Sequence, residues 1–443
     1  MSTRICLAII LLSAAPLWSQ QGTTPGGIAG DDTRMFVPAP VSTADYQTTT
    51  LSEARSNYLR AGLSFNSAYS DNASNSISGK PLSDISYSIW PTISLDETTP
   101  RLHTVITYSP GFTFYQRLSS LDAMDQNLAI SMHYRLSPHV TLSLRDSLHK
   151  TSSAFNNPDL ASAVPVSGST QPPAVLVIAP VADMLRNTGS AELTYQFSLN
   201  AMVGVSGTFS NLHYSNSADV NGLYDSSSAG GSAFYSHRLT RRHYVGASYR
   251  YQRIVAYPVG PQNETQTQTI SGFYTLYVRP TLSFSFSGGA QHSVLEELLL
   301  STSRSWSPTE GVSFGWQARH TSFAASYSRI VSGGGGLVGA YHSNVANGSI
   351  KQQLTKTWTA EVSPGYAIYK TVNPAFSIAG SEGGHSLFCI ASVEDRLSQR
   401  LSFQAGYERL HQSFAGIAAI SVAPDTNREF VSVSYQLSRP LGR

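Results

Sequence analysis

From Tyr58 to Leu437 the chain alternates apolar and small polar residues, segment after segment. Leu59, Ala61, Leu63 and Phe65 interleave with Arg60, Gly62, Ser64 and Asn66. Leu128, Ile130, Met132 and Tyr134 interleave with Ala129, Ser131 and His133, and Leu282, Phe284 and Phe286 with Ser283, Ser285 and Ser287. Val431, Val433, Tyr435 and Leu437 close the series. A period of two marks a strand whose faces meet different surroundings. Counting such runs predicts about 18 strands, within a range of roughly 16–18, each about twice as long as a usual soluble strand.

Short links, such as Leu136-Ser137-Pro138-His139 and Leu397-Ser398-Gln399, alternate with long stretches rich in Gly, Ser, Asn and Pro. Short turns at one rim and long loops at the other are what a meander crossing a membrane produces. A triplet of Arg or Gln, an apolar residue, then Ser or Thr recurs where strands end. It reads Arg135-Leu136-Ser137, Gln196-Phe197-Ser198, Arg238-Leu239-Thr240, Gln353-Leu354-Thr355, Arg396-Leu397-Ser398 and Gln436-Leu437-Ser438. Its spacing of about 40 residues also fits a β-propeller blade, but a blade needs four short strands where each period here holds two long ones. The expected fold is all-β: a transmembrane antiparallel up-and-down barrel with short periplasmic turns and long extracellular loops.

Composition sharpens this reading. Only 13% of the 443 residues are charged and 41% are hydrophobic. Low charge without high hydrophobicity excludes a charged disordered protein and a helical membrane bundle. The net charge of +2 implies no polyanionic partner, so nucleic acid is not expected. Residues 1–20 read as a signal peptide: Arg4 is the basic start, Ile5 to Leu12 the apolar stretch, and Pro16 the break before cleavage. Its removal takes Cys6 and leaves Cys389 alone, so no internal disulfide is expected. Residues 21–56 read as a flexible periplasmic lead-in and 57–443 as the barrel.

With these features the chain resembles the Gram-negative outer-membrane β-barrel proteins. More faintly, Tyr87–Tyr115 looks like the early hairpins of barrels associated with exopolysaccharide export. The resemblance implies a location in the bacterial outer membrane, contact with its lipid and lipopolysaccharide, and insertion by the barrel assembly machinery. That machinery usually reads a last strand ending in an aromatic residue. Here Ser438–Arg443 follow Leu437 and no terminal Phe is present.

A barrel of about 18 strands is roughly 35 Å across, too wide for side chains to fill. Arg60, Arg135, Arg145, Arg250, Glu361 and Glu408 fall on the predicted inward face, among serines such as Ser131, Ser143, Ser206 and Ser248. They are the expected pore-lining charges, and their mixed signs argue against strong ion selectivity. Thr151–Asn187 reads as a long third loop holding the apolar stretch Ala174, Val175, Leu176, Val177 and Ile178 to Ala179. Such a stretch is costly in water unless covered, so it is expected to fold into the mouth as a constriction. Tyr251 and Arg253, Tyr327 and Arg329, and Tyr407 and Arg409 form three Tyr-x-Arg pairs expected on the lipid-facing rim. Tyr134, Tyr195, Tyr277, Trp316, Trp358 and Tyr435 are expected as the opposite aromatic girdle.

Motif matches elsewhere lack their structural context. Gly311-Val312-Ser313-Phe314-Gly315 fits a nucleophile elbow but lies inside an alternating strand with no helix behind it. Gly334, Gly336 and Gly339 match a dinucleotide fingerprint with no helix to follow. The 12 histidines are spread singly, with His133 and His149 the nearest to a lumen pair. No catalytic, metal or cofactor site is expected. The chain reads as a passive diffusion channel for small hydrophilic solutes; the alternative is a structural or export-assisting barrel of a surface-polysaccharide system without an open pore.

Overall fold

The computed structural model describes residues 35, 37–41, 57–74, 81–156, 181–215, 223–257, 263–279, 281–297, 302–333, 340–372, 383–414 and 425–441. Alternation produces 18 strands. They are β1 (Tyr58–Ser70), β2 (Asp84–Thr98), β3 (Leu102–Tyr115), β4 (Ala123–Arg135), β5 (Val140–Ser153) and β6 (Val181–Ser198). Next come β7 (Ala201–Tyr214), β8 (Asp225–Arg238), β9 (His243–Tyr257), β10 (Asn263–Arg279), β11 (Leu282–Glu297) and β12 (Ser303–Gln317). The last six are β13 (Thr321–Gly333), β14 (Ala340–Gln353), β15 (Trp358–Thr371), β16 (Gly383–Asp395), β17 (Leu401–Phe414) and β18 (Asp425–Pro440).

Each strand pairs antiparallel with its sequence neighbours, and β18 closes on β1 through Leu63↔Tyr435 and Phe65↔Val433. Closure removes every free edge, which a lipid-embedded sheet requires because no water is there to satisfy unpaired backbone groups. Following the register once around the ring climbs about 22 residues along β1; with 18 strands that shear gives a tilt of about 42° and a backbone cylinder about 34 Å across. The outward face of most strands carries exposed large apolar residues, such as Leu63, Phe65, Ile89, Ile93, Phe112, Val205, Phe286 and Val433. The other face is Ser-, Thr- and Gly-rich. A closed barrel with an apolar outer belt and a polar interior is a transmembrane barrel.

The repeated triplet builds the short-turn rim. Its Ser or Thr hydroxyl accepts from main-chain N–H groups of the turn: Ser137 from Val140 (3.1 Å), Thr355 from Trp358 (3.0 Å) and Ser398 from Leu401 (3.1 Å). Its Arg or Gln donates a main-chain N–H to the last carbonyl of the preceding turn, as Gln196 does to His139, Gln353 to His320 and Gln436 to Arg400. The middle residue, Leu136, Phe197, Leu239, Leu354, Leu397 or Leu437, stays exposed at the lower edge of the belt. One triplet thus ends a strand, tightens its turn and ties it to the next hairpin.

Two expectations need correction. The third long loop is not Thr151–Asn187: β5 runs to Ser153 and β6 starts at Val181, because alternation and pairing with β7 continue below Asn187. Tyr277 does not join the outer girdle. Tyr274 hydrogen-bonds His243 (2.5 Å) on the outside, and a residue three further along a strand must face inward, so Tyr277 packs on Tyr244 in the lumen. The other five expected girdle residues face outward; Tyr195, Trp316, Trp358 and Tyr435 are among the exposed aromatics.

Candidate functional site in the barrel lumen

Strand parity sends alternate side chains inward, and Arg60, Arg135, Arg145, Arg250, Glu361 and Glu408 all stand on the lumen side. Several are bound to charges on adjoining strands. Arg60 Nη2 lies 4.0 Å from Asp96 Oδ2, and His103 Nε2 lies 3.4 Å from Asp96 Oδ1. Lys351 Nζ is 3.3 Å from Glu361, and Arg428 Nη1 is 3.4 Å from Glu408. Opposite signs on neighbouring strands cancel locally, so the lumen offers no large field of one sign. His133 and His149 both face inward but are not partners: His133 Nδ1 lies 2.9 Å from Ser143 Oγ, and His149 Nδ1 lies 3.0 Å from Asn127 Oδ1. Among the described residues no group of three or more His, Cys, Asp or Glu could hold a metal ion.

At mid-height lies a small hydroxyl-lined chamber with about 50 Å³ of space for water. Ser232, Ser248, Thr267, Thr269, Ser287 and Thr309 line it, with Arg250, Gln252 and Gln291. Cross-strand hydroxyl pairs order this wall, among them Ser206–Ser232 (2.7 Å) and Ser248–Ser271 (2.8 Å). A wall of this kind exchanges hydrogen bonds with water or a hydroxylated solute at little cost.

Above the chamber the barrel is narrowed by its own wall. Pairing of β12 with β13 stops at Glu310↔Arg329, whereas β13 stays paired with β14 up to Gly333↔Ala340. The freed hairpin leans inward. Gln291 on β11 clips it from within, accepting from Val331 N–H (2.9 Å) and donating to Val331 C=O (3.3 Å). Pro308, which has no N–H to offer, stands on the stretch of β12 that pairs with β11 (Ala290↔Pro308) but no longer with β13. Higher still, Met184, Leu212 and Tyr214 from β6 and β7 meet Tyr341, Val345, Ala367, Tyr369 and Phe414 from β14, β15 and β17. Leu223 joins them from the β7–β8 connection, and the Tyr369 and Phe414 rings stack 5.6 Å apart. An apolar core therefore spans the lumen between opposite walls.

The root of the third long loop also turns inward. Asn156 Nδ2 donates to Asp125 Oδ2 (2.7 Å), and Ser152 donates to Asp125 Oδ1 from both main chain (2.8 Å) and hydroxyl (2.7 Å). Phe155 packs against Phe388 and Leu410 beneath the Arg428 guanidinium, 5.6 Å from its ring centre. Ala174, Val175, Leu176, Val177 and Ile178 lie outside the described residues. The narrowing that is described comes from the β13–β14 hairpin and the cross-lumen core, neither of which the strand pattern singles out. Pro308 and the inward aromatics Tyr341, Tyr369 and Phe414 are the signals that could have found it.

The Tyr-x-Arg pairs all face outward at the long-loop rim, and their partners lie on adjoining strands. Arg253 Nε donates to Glu264 Oε1 (2.7 Å) and Arg409 Nη2 to Asp425 Oδ1 (3.1 Å). Arg329 stands in register with Glu310. Tyr327 and Tyr407 donate to Asn344 (3.2 Å) and Asn427 (2.5 Å). Each pair is thus a cross-strand clasp at the rim.

No protein-family model and no curated protein matches the chain. Among solved structures it is similar to the outer membrane protein OpdK from Pseudomonas aeruginosa, at 11% identity, 86% of this chain, 99% of that chain and a TM-score of 0.41. It is also similar to OccAB2 from Acinetobacter baumannii (10% identity, 86% and 98% of the two chains, TM-score 0.42). A third is the FrpB iron transporter from Neisseria meningitidis (11% identity, 80% and 62%, TM-score 0.40). At such values the likeness adds nothing to what the strand pairing already establishes, a closed 18-stranded transmembrane barrel.

Proposed function

We propose that the chain is an outer-membrane diffusion channel of narrow bore for small hydrophilic solutes. The carrying observation is the hydroxyl-lined chamber at mid-height, a solvent-holding space inside a wall about 34 Å across. Pore-lining charges, Arg60, Arg135, Arg145, Arg250, Glu361 and Glu408, offer both signs, so discrimination rests on size and hydrogen bonding rather than on net charge. The cross-lumen core and the β13–β14 hairpin keep the bore small. No catalytic constellation accompanies the channel in this reading. The apolar belt fits outer-membrane lipid and lipopolysaccharide, reached after signal-peptide removal and insertion by the barrel assembly machinery.

Single-channel recording in planar bilayers tests this. Discrete conductance steps well below those of a wide open barrel of this strand number are expected. A correctly folded barrel with no conductance would sink the reading and leave the structural barrel of a surface-polysaccharide system in its place.

A further inference from the structure

The histidines are spread singly along the chain, but strand register brings two of them together on the outside of the barrel. Phe388 and Leu410 face the lumen. His385, three residues before the one, and His411, next to the other, therefore face outward. His385 stands in register with Ser413 and His411 with Leu387, which makes the two histidines diagonal neighbours on β16 and β17. His411 also stands in register with Asp425 on β18. It lies four residues beyond Tyr407 on the same face, so the group sits above that tyrosine at the long-loop rim.

The three side chains touch in sequence. Nε2 of His385 and Nε2 of His411 are 3.2 Å apart and the ring centres 5.2 Å, so the two nitrogens meet nearly head-on. His411 Nδ1 lies 3.0 Å from Asp425 Oδ1, an oxygen that also accepts from Arg409 Nη2 (3.1 Å). A carboxylate accepts and cannot donate. In the neutral ring of His411 the proton is therefore on Nδ1, and Nε2 turns its lone pair towards His385. Arg409 fixes the carboxylate from its other side. His213 on β7 supplies a contrast: its Nδ1 lies 2.6 Å from Asp225 Oδ2, but among the described residues no second imidazole meets it.

We propose that His385 and His411 hold one divalent late-transition ion, of the zinc or copper class, on the outer surface of the long-loop rim. Neutral imidazole suits these ions. A separation of 3.2 Å between the nitrogens is spanned by one ion with metal–nitrogen bonds of about 2.0–2.1 Å. The ion takes the place of the single proton that the two Nε2 atoms otherwise share. Asp425 provides the outer hydrogen bond that orients a metal-bound histidine and raises its basicity. Water from the solvent side completes the coordination, because the described residues offer no third protein ligand. Bound, the ion pins β16 to β17 just below Gly384↔Phe414, where their pairing ends. The site lies outside the lumen, so it and the channel reading fail independently.

The test is calorimetric titration of Zn²⁺ into the full mature chain, free of affinity tags, stripped of metal and held in detergent. One ion per chain is expected. Binding should weaken at least about tenfold in His385→Gln and in His411→Gln, and about tenfold in Asp425→Asn, which removes only the orienting partner. His213→Gln should leave it unchanged. Equal affinity in the parent and in His385→Gln with His411→Gln overturns the site. A loss from His213→Gln as large as that from His411→Gln also overturns it, since binding would then be scattered over surface histidines. Where the variants fold poorly, the parent alone decides. Cu²⁺ added below one equivalent should give the electron-paramagnetic signature of two imidazole nitrogens, and a spectrum with one or none overturns the inference.

Discussion

Two apolar clusters sit inside this lumen, and they are built on opposite principles. The upper one joins β6 and β7 to β14, β15 and β17 across the barrel, so each wall covers the other. The lower one, on β7 to β10, occupies a single wall and is covered by Met35 and Val41 from outside the sheet. A cluster closed by two walls ties distant strands together; one closed by a short segment ties that segment to a single wall. The difference teaches that apolar residues in a polar lumen have two uses, and that the origin of their cover tells them apart.

The sharpest way to break this comparison is at Phe414, which is 1% exposed and stacks on Tyr369. Phe414→Ala removes a fully buried ring from between two walls and is expected to cost about 3–5 kcal/mol, with the cavity adding to the lost transfer energy. Denaturant unfolding of the detergent-solubilised barrel, followed by gel mobility of unheated samples, reads the loss. Conductance should rise at the same time because the cross-lumen core loosens. A barrel as stable as the parent would mean that the upper cluster does not tie the two walls together.

A smaller effect is expected where the loop root is latched. Arg428 is 7% exposed and holds both the Glu408 carboxylate and the Phe155 ring. Arg428→Met leaves Glu408 without its cation and should destabilise the barrel by about 2–4 kcal/mol, since a charge stripped of its partner in a buried site is costly. Arg428→Met with Glu408→Gln should recover most of that loss. Equal stability of the single and double variants would show that the pair is solvated and that Phe155 and the Asp125 hydrogen bonds hold the root without it. By contrast, Met35→Ser with Val41→Ser is expected to lower unfolding stability by less than Phe414→Ala does, because the cover it loosens joins no two strands. A loss as large as that of Phe414→Ala would erase the distinction between the two clusters.

The sequence carried the outer half of the molecule in plain form. Lipid and lumen impose different chemistry on alternate residues, so strand number, closure and the inward placing of Arg60, Arg145 and Glu408 follow from parity alone. Where two faces share one chemistry, parity falls silent. Met202, Phe234, Tyr244 and Phe273 are apolar on the lumen side of strands that are also apolar outside, so the lower cluster hides in what looks like ordinary strand. Tyr274 and Tyr277 differ by an odd step, and only one could face the membrane, which the sequence pattern alone does not decide between two tyrosines. The inward lean of β13 depends on a lost pairing with β12, a contact between residues with no local signature beyond Pro308. Residues 35–41, Met-Phe-Val-Pro-Ala-Pro-Val, are wholly apolar, but they have no period and two prolines, so they merge with the polar stretches on either side.

The short-turn rim gives the smallest effect and marks the boundary of the comparison. Ser398 Oγ accepts from Arg400 N–H (3.2 Å) and Leu401 N–H (3.1 Å), and Leu397 beside it is exposed at the belt's edge. Ser398→Ala removes one acceptor from a turn where water can replace it, so the expected cost is about 0.5–1 kcal/mol, near the net worth of a single hydrogen bond. The same substitution at Ser137 should behave alike, because Ser137 accepts from His139 (3.2 Å) and Val140 (3.1 Å) in the same arrangement. Neither turn touches the lower cluster or the cross-lumen core, so conductance should not change while unfolding shifts slightly. Parallel measurement of both quantities on the two variants checks this. A change in conductance from Ser398→Ala would show that the turns move the lumen wall, and the docked N-terminal segment and the cross-lumen core would then have to be treated as coupled through the rim rather than as separate features.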